Sequence, residues 1–173
     1  MKIIKSLFFF VIPFLFIGCG DPLVDVEITS CKLNKETYKL DEDIVFTCRG
    51  CFNESHPVTG YSTLCIGFSK KIYGDDDKDL NFEIIDSGNL NLIKTKHFND
   101  RVDNPEIENP EKSVIYYFKL YDNTVLRNYK KKIVFRANEP GTYSIDIDIS
   151  AYSVSYPNEN YDTYTIPFTV EAE

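Results

Sequence analysis

The sequence predicts an all-β domain, an antiparallel β-sandwich of about eight or nine short strands, after a cleaved N-terminal signal segment. Three observations carry that prediction. Apolar and polar residues alternate with period two in one segment after another, and no segment makes a convincing amphipathic helix. Turn-forming clusters separate these segments. The chain has 12 Tyr and 13 Phe but no Trp, a composition that favours strands.

The segment ahead of the sandwich is of another kind. Lys2 and Lys5 precede an almost wholly apolar run, Leu7 to Ile17, which closes on Gly18-Cys19. A basic start, a short apolar run and a small residue make a secretory signal. The run is about half of the ~20 residues a spanning helix needs, so it is read as removed. Phe16-Ile17-Gly18-Cys19 resembles the lipobox of bacterial lipoproteins. That resemblance implies cleavage of residues 1–18, acylation of Cys19, and attachment to an envelope membrane on its extracytoplasmic side. The other reading of the same residues is ordinary cleavage near Gly18 and a soluble secreted protein. Residues 19–23 are then a lipidated tether with a reach on the order of 15 Å at ~3.5 Å per residue. A single acyl chain, at ~0.8 kcal/mol per buried CH₂, holds only marginally, whereas several hold firmly.

Removal of residues 1–18 leaves 155 residues, enough for one domain with its own core, residues 24–173. The full chain has net charge −8, and losing Lys2 and Lys5 takes it to −10. An acidic surface repels phosphate backbones, which argues against nucleic acid as a partner.

Val24, Val26 and Ile28 alternate with Asp25, Glu27 and Thr29, which predicts a half-buried strand running to about Tyr38. Leu40-Asp41-Glu42 turns the chain into a return strand, Ile44 to Cys48. Tyr38 to Phe46 resembles the first hairpin of bacterial immunoglobulin-like domains. Tyr61 to Ser69 is the next strand, with Leu64, Ile66 and Phe68 as its buried face. Leu80 to Asp86 and Leu90 to Thr95 predict a hairpin around Ser87-Gly88-Asn89. Residues 99–112 form a long polar connection, of a length that tends to be functional or mobile. Ser113 to Tyr121 and Lys131 to Arg136 are further strands. Glu139-Pro140-Gly141-Thr142-Tyr143 turns into the strictly alternating strand Ser144 to Ile149. That stretch resembles the Pro-Gly-Thr-Tyr corner of immunoglobulin-like and fibronectin-type sandwiches. Reversal at Asn158 and Glu159 sets Ile147 opposite Val170, Ile149 opposite Phe168 and Ala151 opposite Ile166, apolar against apolar.

With Cys19 assigned to lipid, Cys31, Cys48, Cys51 and Cys65 remain, an even set that in an exported chain reads as disulfides. Folding about Leu40 and Asp41 sets Cys31 opposite Cys51, which favours Cys31–Cys51 with Cys48–Cys65. A slipped register favours Cys31–Cys48 with Cys51–Cys65, and the third connectivity also stays open. Cys48-Arg49-Gly50-Cys51 has the spacing of a redox pair but ends a strand, whereas redox pairs open a helix whose dipole lowers the thiol pKa.

Asp75, Asp77 and Asp79 alternate like the first ligands of a calcium loop. Leu80 stands where that loop turns on glycine and Asp86 where it needs Glu, so a solvated turn is the better reading and no metal site is assigned. His56 and His97 belong to no catalytic motif, and no enzyme activity and no cofactor are expected. Arg127, Lys130, Lys131 and Lys132 form a basic cluster, read first as a guarded strand edge and second as a contact for anionic lipid or polysaccharide. Tyr152, Tyr156, Asn158, Asn160 and Tyr161 gather on one hairpin tip, with the chemistry of antibody-like binding loops. The expected function is therefore a non-catalytic, lipid-anchored envelope module for a protein or glycan ligand. A structural envelope subunit is the alternative class, and a thiol redox factor the third.

Overall fold

In the computed structural model, which describes residues 24–54, 60–74, 76, 78–103, 107–122, 128–153 and 160–172, the alternating segments become ten strands. These are β1 (Val24–Leu33), β2 (Thr37–Lys39), β3 (Ile44–Glu54), β4 (Gly60–Lys71), β5 (Phe82–Asp86), β6 (Asn91–Asn99), β7 (Glu111–Asp122), β8 (Asn128–Ala137), β9 (Gly141–Ser153) and β10 (Asn160–Glu171). A four-stranded sheet, β1-β3-β8-β5, packs on a six-stranded sheet, β2-β10-β9-β4-β7-β6. The fold is the predicted β-sandwich, one strand richer than expected because the chain breaks after Leu33 and three residues, β2, cross to the other sheet. There β2 runs parallel to β10, with Tyr38 beside Val170. The one helix among the described residues is the single turn α1 (Asp100–Asp103), which occupies part of the connection expected over 99–112. Among the described residues no helix is long and apolar enough to cross a membrane.

The inward faces are those that alternation predicts. Leu64, Ile66 and Phe68 of β4 and Ile145, Ile147 and Ile149 of β9 are fully buried. Phe68 is the hub: its ring lies 4.0 Å from that of Phe82 and 4.9 Å from that of Phe135, both contributed by the other sheet. Tyr116 of β7 reaches across to β5, accepting from Phe82 N at 2.9 Å and donating to Phe82 O at 2.6 Å. Tyr143 donates to Glu139 O at 2.7 Å, so the predicted corner is closed by its own tyrosine.

Three expectations are corrected. The segments around Ser87-Gly88-Asn89 do not form a hairpin, because β5 pairs with β8 in one sheet and β6 with β7 in the other. Gly88 (φ 62°) and Asn89 (φ 64°) bend the chain between sheets, and a Cβ on Gly88 would lie 2.3 Å from Lys132 O. The β9–β10 hairpin exists, but its register is displaced by six residues: Ile147 faces Tyr164 and Ile145 faces Ile166. An even slip keeps every side chain on its face, so alternation alone does not distinguish the two registers. Finally, Cys31 lies opposite Cys48, and Glu27, not Cys31, opposite Cys51. A bulge between Ile28 and Ser30 shifts the pairing, and Asp162 Oδ2 accepts from Ile28 N at 2.7 Å across the sandwich edge.

Candidate functional site

The cysteines separate by face. Cys31 and Cys48 point inward and are buried with their Sγ atoms 3.0 Å apart. Burial and the neighbouring Cys48 push the Cys31 thiol well above the ordinary thiol range, the Cys48 contact being the larger cause. Cys51 follows Cys48 by three residues on the same strand, about 10 Å in extended chain, and lies on the outer face, donating to Glu27 Oε2 at 3.5 Å. That separation exceeds what a disulfide spans, so the redox-pair geometry is not built. Cys65 lies on the outer face of the other sheet, in one row with Asp148 and Tyr117. Cys31–Cys51, Cys48–Cys65 and Cys51–Cys65 would each join different faces of the sandwich, so among the pairings weighed this fold accommodates only Cys31–Cys48.

The predicted tip residues fall only partly within the described structure. Tyr152 lies in β9 opposite Tyr61, and Asn160 and Tyr161 open β10 opposite Ala151 and Ser150. Tyr156 and Asn158 lie outside the described residues, as do Cys19, His56, Arg127, Asp75 and Asp77. His97 contacts Leu80 O through Nδ1 at 3.1 Å. Among the described residues no three His, Cys, Asp or Glu side chains are placed to hold a metal ion. The ordered use of the acidic turn is a different one, through Asp76. Its Oδ2 accepts from Lys112 Nζ at 2.7 Å, and Glu139 Oε1 lies 2.8 Å from the same ammonium, whose side chain has no exposed surface. Lys70 Nζ joins at 3.3 Å from Glu139 and donates to Pro140 O at 2.9 Å. Together these charges plug one end of the sandwich.

The outer face of the six-stranded sheet carries a concave surface. Its registers read as rows: Thr165, Asp146, Gly67, Ile115, Lys96, and beside it Thr163, Asp148, Cys65, Tyr117, Lys94. Gly67 has no side chain, and together with Cys65, Ser69 and Ser113 it leaves a trough of about 340 Å³. One wall is the carboxylates Asp146 and Asp148; the other is Phe98 and Ile115. Lys94 Nζ stands 4.4 Å above the Tyr117 ring, a cation–π contact at the rim. Burial, then the charge of Asp146, raises the Asp148 carboxyl above its ordinary value. Through Ser69 and Glu111 the trough continues into a depression of about 610 Å³ above the charged plug, lined also by Tyr73 and Tyr143. Sequence reasoning missed this surface, although the outward parity of Cys65, Gly67 and Ser69 was available to mark it.

The outer face of the four-stranded sheet differs. Lys130 and Lys132 point outward there, whereas Lys131, opposite Cys48, is turned inward. Strand β8 lies between β3 and β5 in its sheet, but β5 pairs only with residues 134–137, so Lys130, Lys131 and Lys132 stand on a stretch paired with β3 alone, an open edge of the kind the guard reading expects.

No family model matches the chain and no curated protein matches it. Solved structures do. AvmM, described as catalysing macrocyclization in alchivemycin A biosynthesis, is similar at 7% identity and a TM-score of 0.51, over 85% of this chain and 88% of that one. A cohesin module from a Clostridium perfringens family 33 glycoside hydrolase is similar at 12% identity and a TM-score of 0.41, over 88% and 99%. AggA, the major subunit of aggregative adherence fimbriae type I from Escherichia coli, is similar at 11% identity and a TM-score of 0.38, over 85% and 96%. At such identities the likeness is one of fold.

Proposed function

We propose that the chain is a non-catalytic binding module held at a bacterial envelope by lipid on Cys19, and that it meets a protein or glycan ligand on the outer face of its six-stranded sheet. The observation that carries this reading is the trough over Gly67. Small side chains on its floor, carboxylates on one wall and aromatic and aliphatic carbon on the other combine contact area with directed hydrogen bonding, as ligand sites do. The Tyr152, Tyr156, Asn158, Asn160 and Tyr161 tip is proposed as a further ligand contact, and of these Tyr161 is paired with Ser150 in a row of this sheet that continues to Thr63. The lipid anchor rests on the sequence of residues 1–19, and Cys31 and Cys48 would be bridged once exported.

A blocking substitution tests the face. A Cβ on Gly67 would meet its nearest neighbour, Ile115, at 3.6 Å, an ordinary contact, so Gly67→Arg fills the trough without disturbing the core. Immobilised envelope glycans and envelope proteins screened with both forms should show ligands held by the native chain and lost by Gly67→Arg at unchanged Tm. Equal binding by both would remove the trough from consideration, and equal binding after joint replacement of Tyr156 and Tyr161 with Ala would remove the tip.

The structural-subunit reading has one observation in its favour. Strand β6 is a sheet edge with Leu92, Ile93 and Phe98 all substantially exposed, a template for another strand. Lys94, Lys96 and the bulge between Leu92 and Lys94 guard that edge, which is why this reading stands second.

A further inference from the structure

The four-stranded sheet gathers positive charge from three strands that the sequence keeps far apart. Its outer rows read Lys32, Thr47, Lys132 and, beside them, Ser30, Arg49, Lys130. At ~4.8 Å between strands and ~6.6 Å between alternate residues, the four cations fall within about 10 by 7 Å at their backbones. All four are exposed, and none takes part in an ion pair among the described residues. Arg49 and Lys130 are direct cross-strand partners, a like-charge placement that costs the fold stability. In a chain where acidic residues outnumber basic ones 27 to 19, this positive grid spans three strands, and Arg49 at its centre lies on the interior strand β3, where edge protection does not account for it.

We infer that this face docks on the anionic phospholipid headgroups of the membrane that holds Cys19. The inference rests on the lipid-anchor reading above. The tether enters β1, the edge strand of this same sheet, within a few residues of Cys19. An acyl anchor and a basic patch on one surface reinforce each other, because each cation near an anionic surface adds to the hold of the lipid. Lys32 stands eight residues beyond Val24, about 26 Å along the strand, so the patch reaches the membrane only if the sandwich lies on its side. The trough on the opposite face is then displayed away from the membrane, towards ligands.

The test uses the lipidated mature protein in vesicles of phosphatidylcholine alone and of phosphatidylcholine with about a third phosphatidylglycerol. A water-soluble amine reagent and peptide mass mapping report the labelling rates of Lys32, Lys130 and Lys132, with Lys94 and Lys96 on the other sheet as internal standards. Labelling of the first three should fall by about tenfold or more in the anionic vesicles, recover in high salt, and become insensitive to lipid at the remaining lysine when Lys130 and Lys132 are both replaced with Glu. Equal labelling in both vesicles overturns the inference. So does protection by soluble polyphosphate without protection by the vesicles, which would assign the face to a soluble polyanion. Failure of the anchor is seen separately: intact mass would show Cys19 without acyl chains, and the protein would not float with either vesicle.

Discussion

Lys112 and the pair Lys130 and Lys132 sit on strands of one sandwich under opposite rules. Lys112 has no exposed surface and is held by Asp76 and Glu139, while Lys130 and Lys132 are exposed, stand beside Arg49 and Lys32, and meet no carboxylate among the described residues. A buried cation is tolerable only with its counter-charges in place, so its partners were chosen by the fold. An exposed cation pairs with water at little cost, so the absence of a partner leaves it available to something outside the chain. Charge at the plug therefore concerns stability, and charge on the open face concerns association.

The sharpest way to break that contrast is Lys112→Met. It leaves two carboxylates, each with 31% side-chain exposure, at the end of the core with Lys70, 3.3 Å from Glu139, as their remaining cation and Asp76 without its ion-pair partner. Removing one side of a buried pair costs 3–5 kcal/mol, and because these carboxylates still reach water the expected loss is about 3 kcal/mol. For a chain of this size that lowers Tm by about 10 °C in a thermal melt. An unchanged melt would show that the plug is not structural.

The pH dependence of that gap sharpens the same point. The Lys112 hydrogen bond holds the Asp76 carboxyl below its ordinary value, so its contribution is complete above the unfolded carboxylate pKa, about 4, and fades as pH falls through the lowered value. Burial alone would lower Lys112, but hydrogen bonds to Asp76 and Glu139 more than offset it and the net shift is upward. That contribution is complete below about pH 10 and fades as pH rises through the raised value. The Tm difference between native chain and Lys112→Met should thus be widest between those limits and narrow on both sides. A constant difference from acid to alkali would mean that Lys112 acts through its packing.

Why one of these regions was legible and the other was not follows from what period two encodes. Alternation gave the strands, their inward residues and the Tyr143 corner, because burial imposes itself on every second residue of β4, β7 and β9. Lys112 shares the inward parity of Val114, Tyr116 and Phe118, and that parity is the signal by which it could have been found. The open-face grid depends on registers between β1, β3 and β8. A bulge at Thr29 shifts the β1–β3 register, and neither it nor the β3–β8 pairing is encoded by local sequence. The same limit set the β9–β10 reversal six residues away from its true place and paired two segments that Gly88 sends to different sheets. Residue pattern fixed faces, and tertiary packing fixed neighbours.

A smaller effect separates cost from use on the open face. Arg49→Thr removes the like charge opposite Lys130 and places a β-branched residue on an exposed strand position. Stability should rise by about 0.5 kcal/mol in a denaturant titration with unchanged slope, while Lys130 protection on anionic vesicles weakens. A loss of stability instead would mean that Arg49 supports the sheet, and the grid would then need no partner to explain it.

The smallest effect concerns a third arrangement, a charge partly withdrawn from water with no ion pair among the described residues. Asp148 is raised by burial and then by Asp146, the reverse of Asp76. The sign follows: the folded chain holds its proton more tightly than the unfolded one, so its contribution favours folding below the ordinary carboxylate range and is lost as pH rises through the raised value. At neutral pH the ionised Asp148 therefore opposes folding. Asp148→Asn should stabilise the chain there by about 0.3 kcal/mol, a value kept small because solvent screens an exposed outer-face position. The gain should vanish in melts below about pH 4, where both forms are neutral. A fold needs no such carboxylate, so if the trough is a ligand surface the same substitution should weaken ligand capture while raising Tm. Capture and stability that rose together would return Asp148 to the ordinary sheet surface.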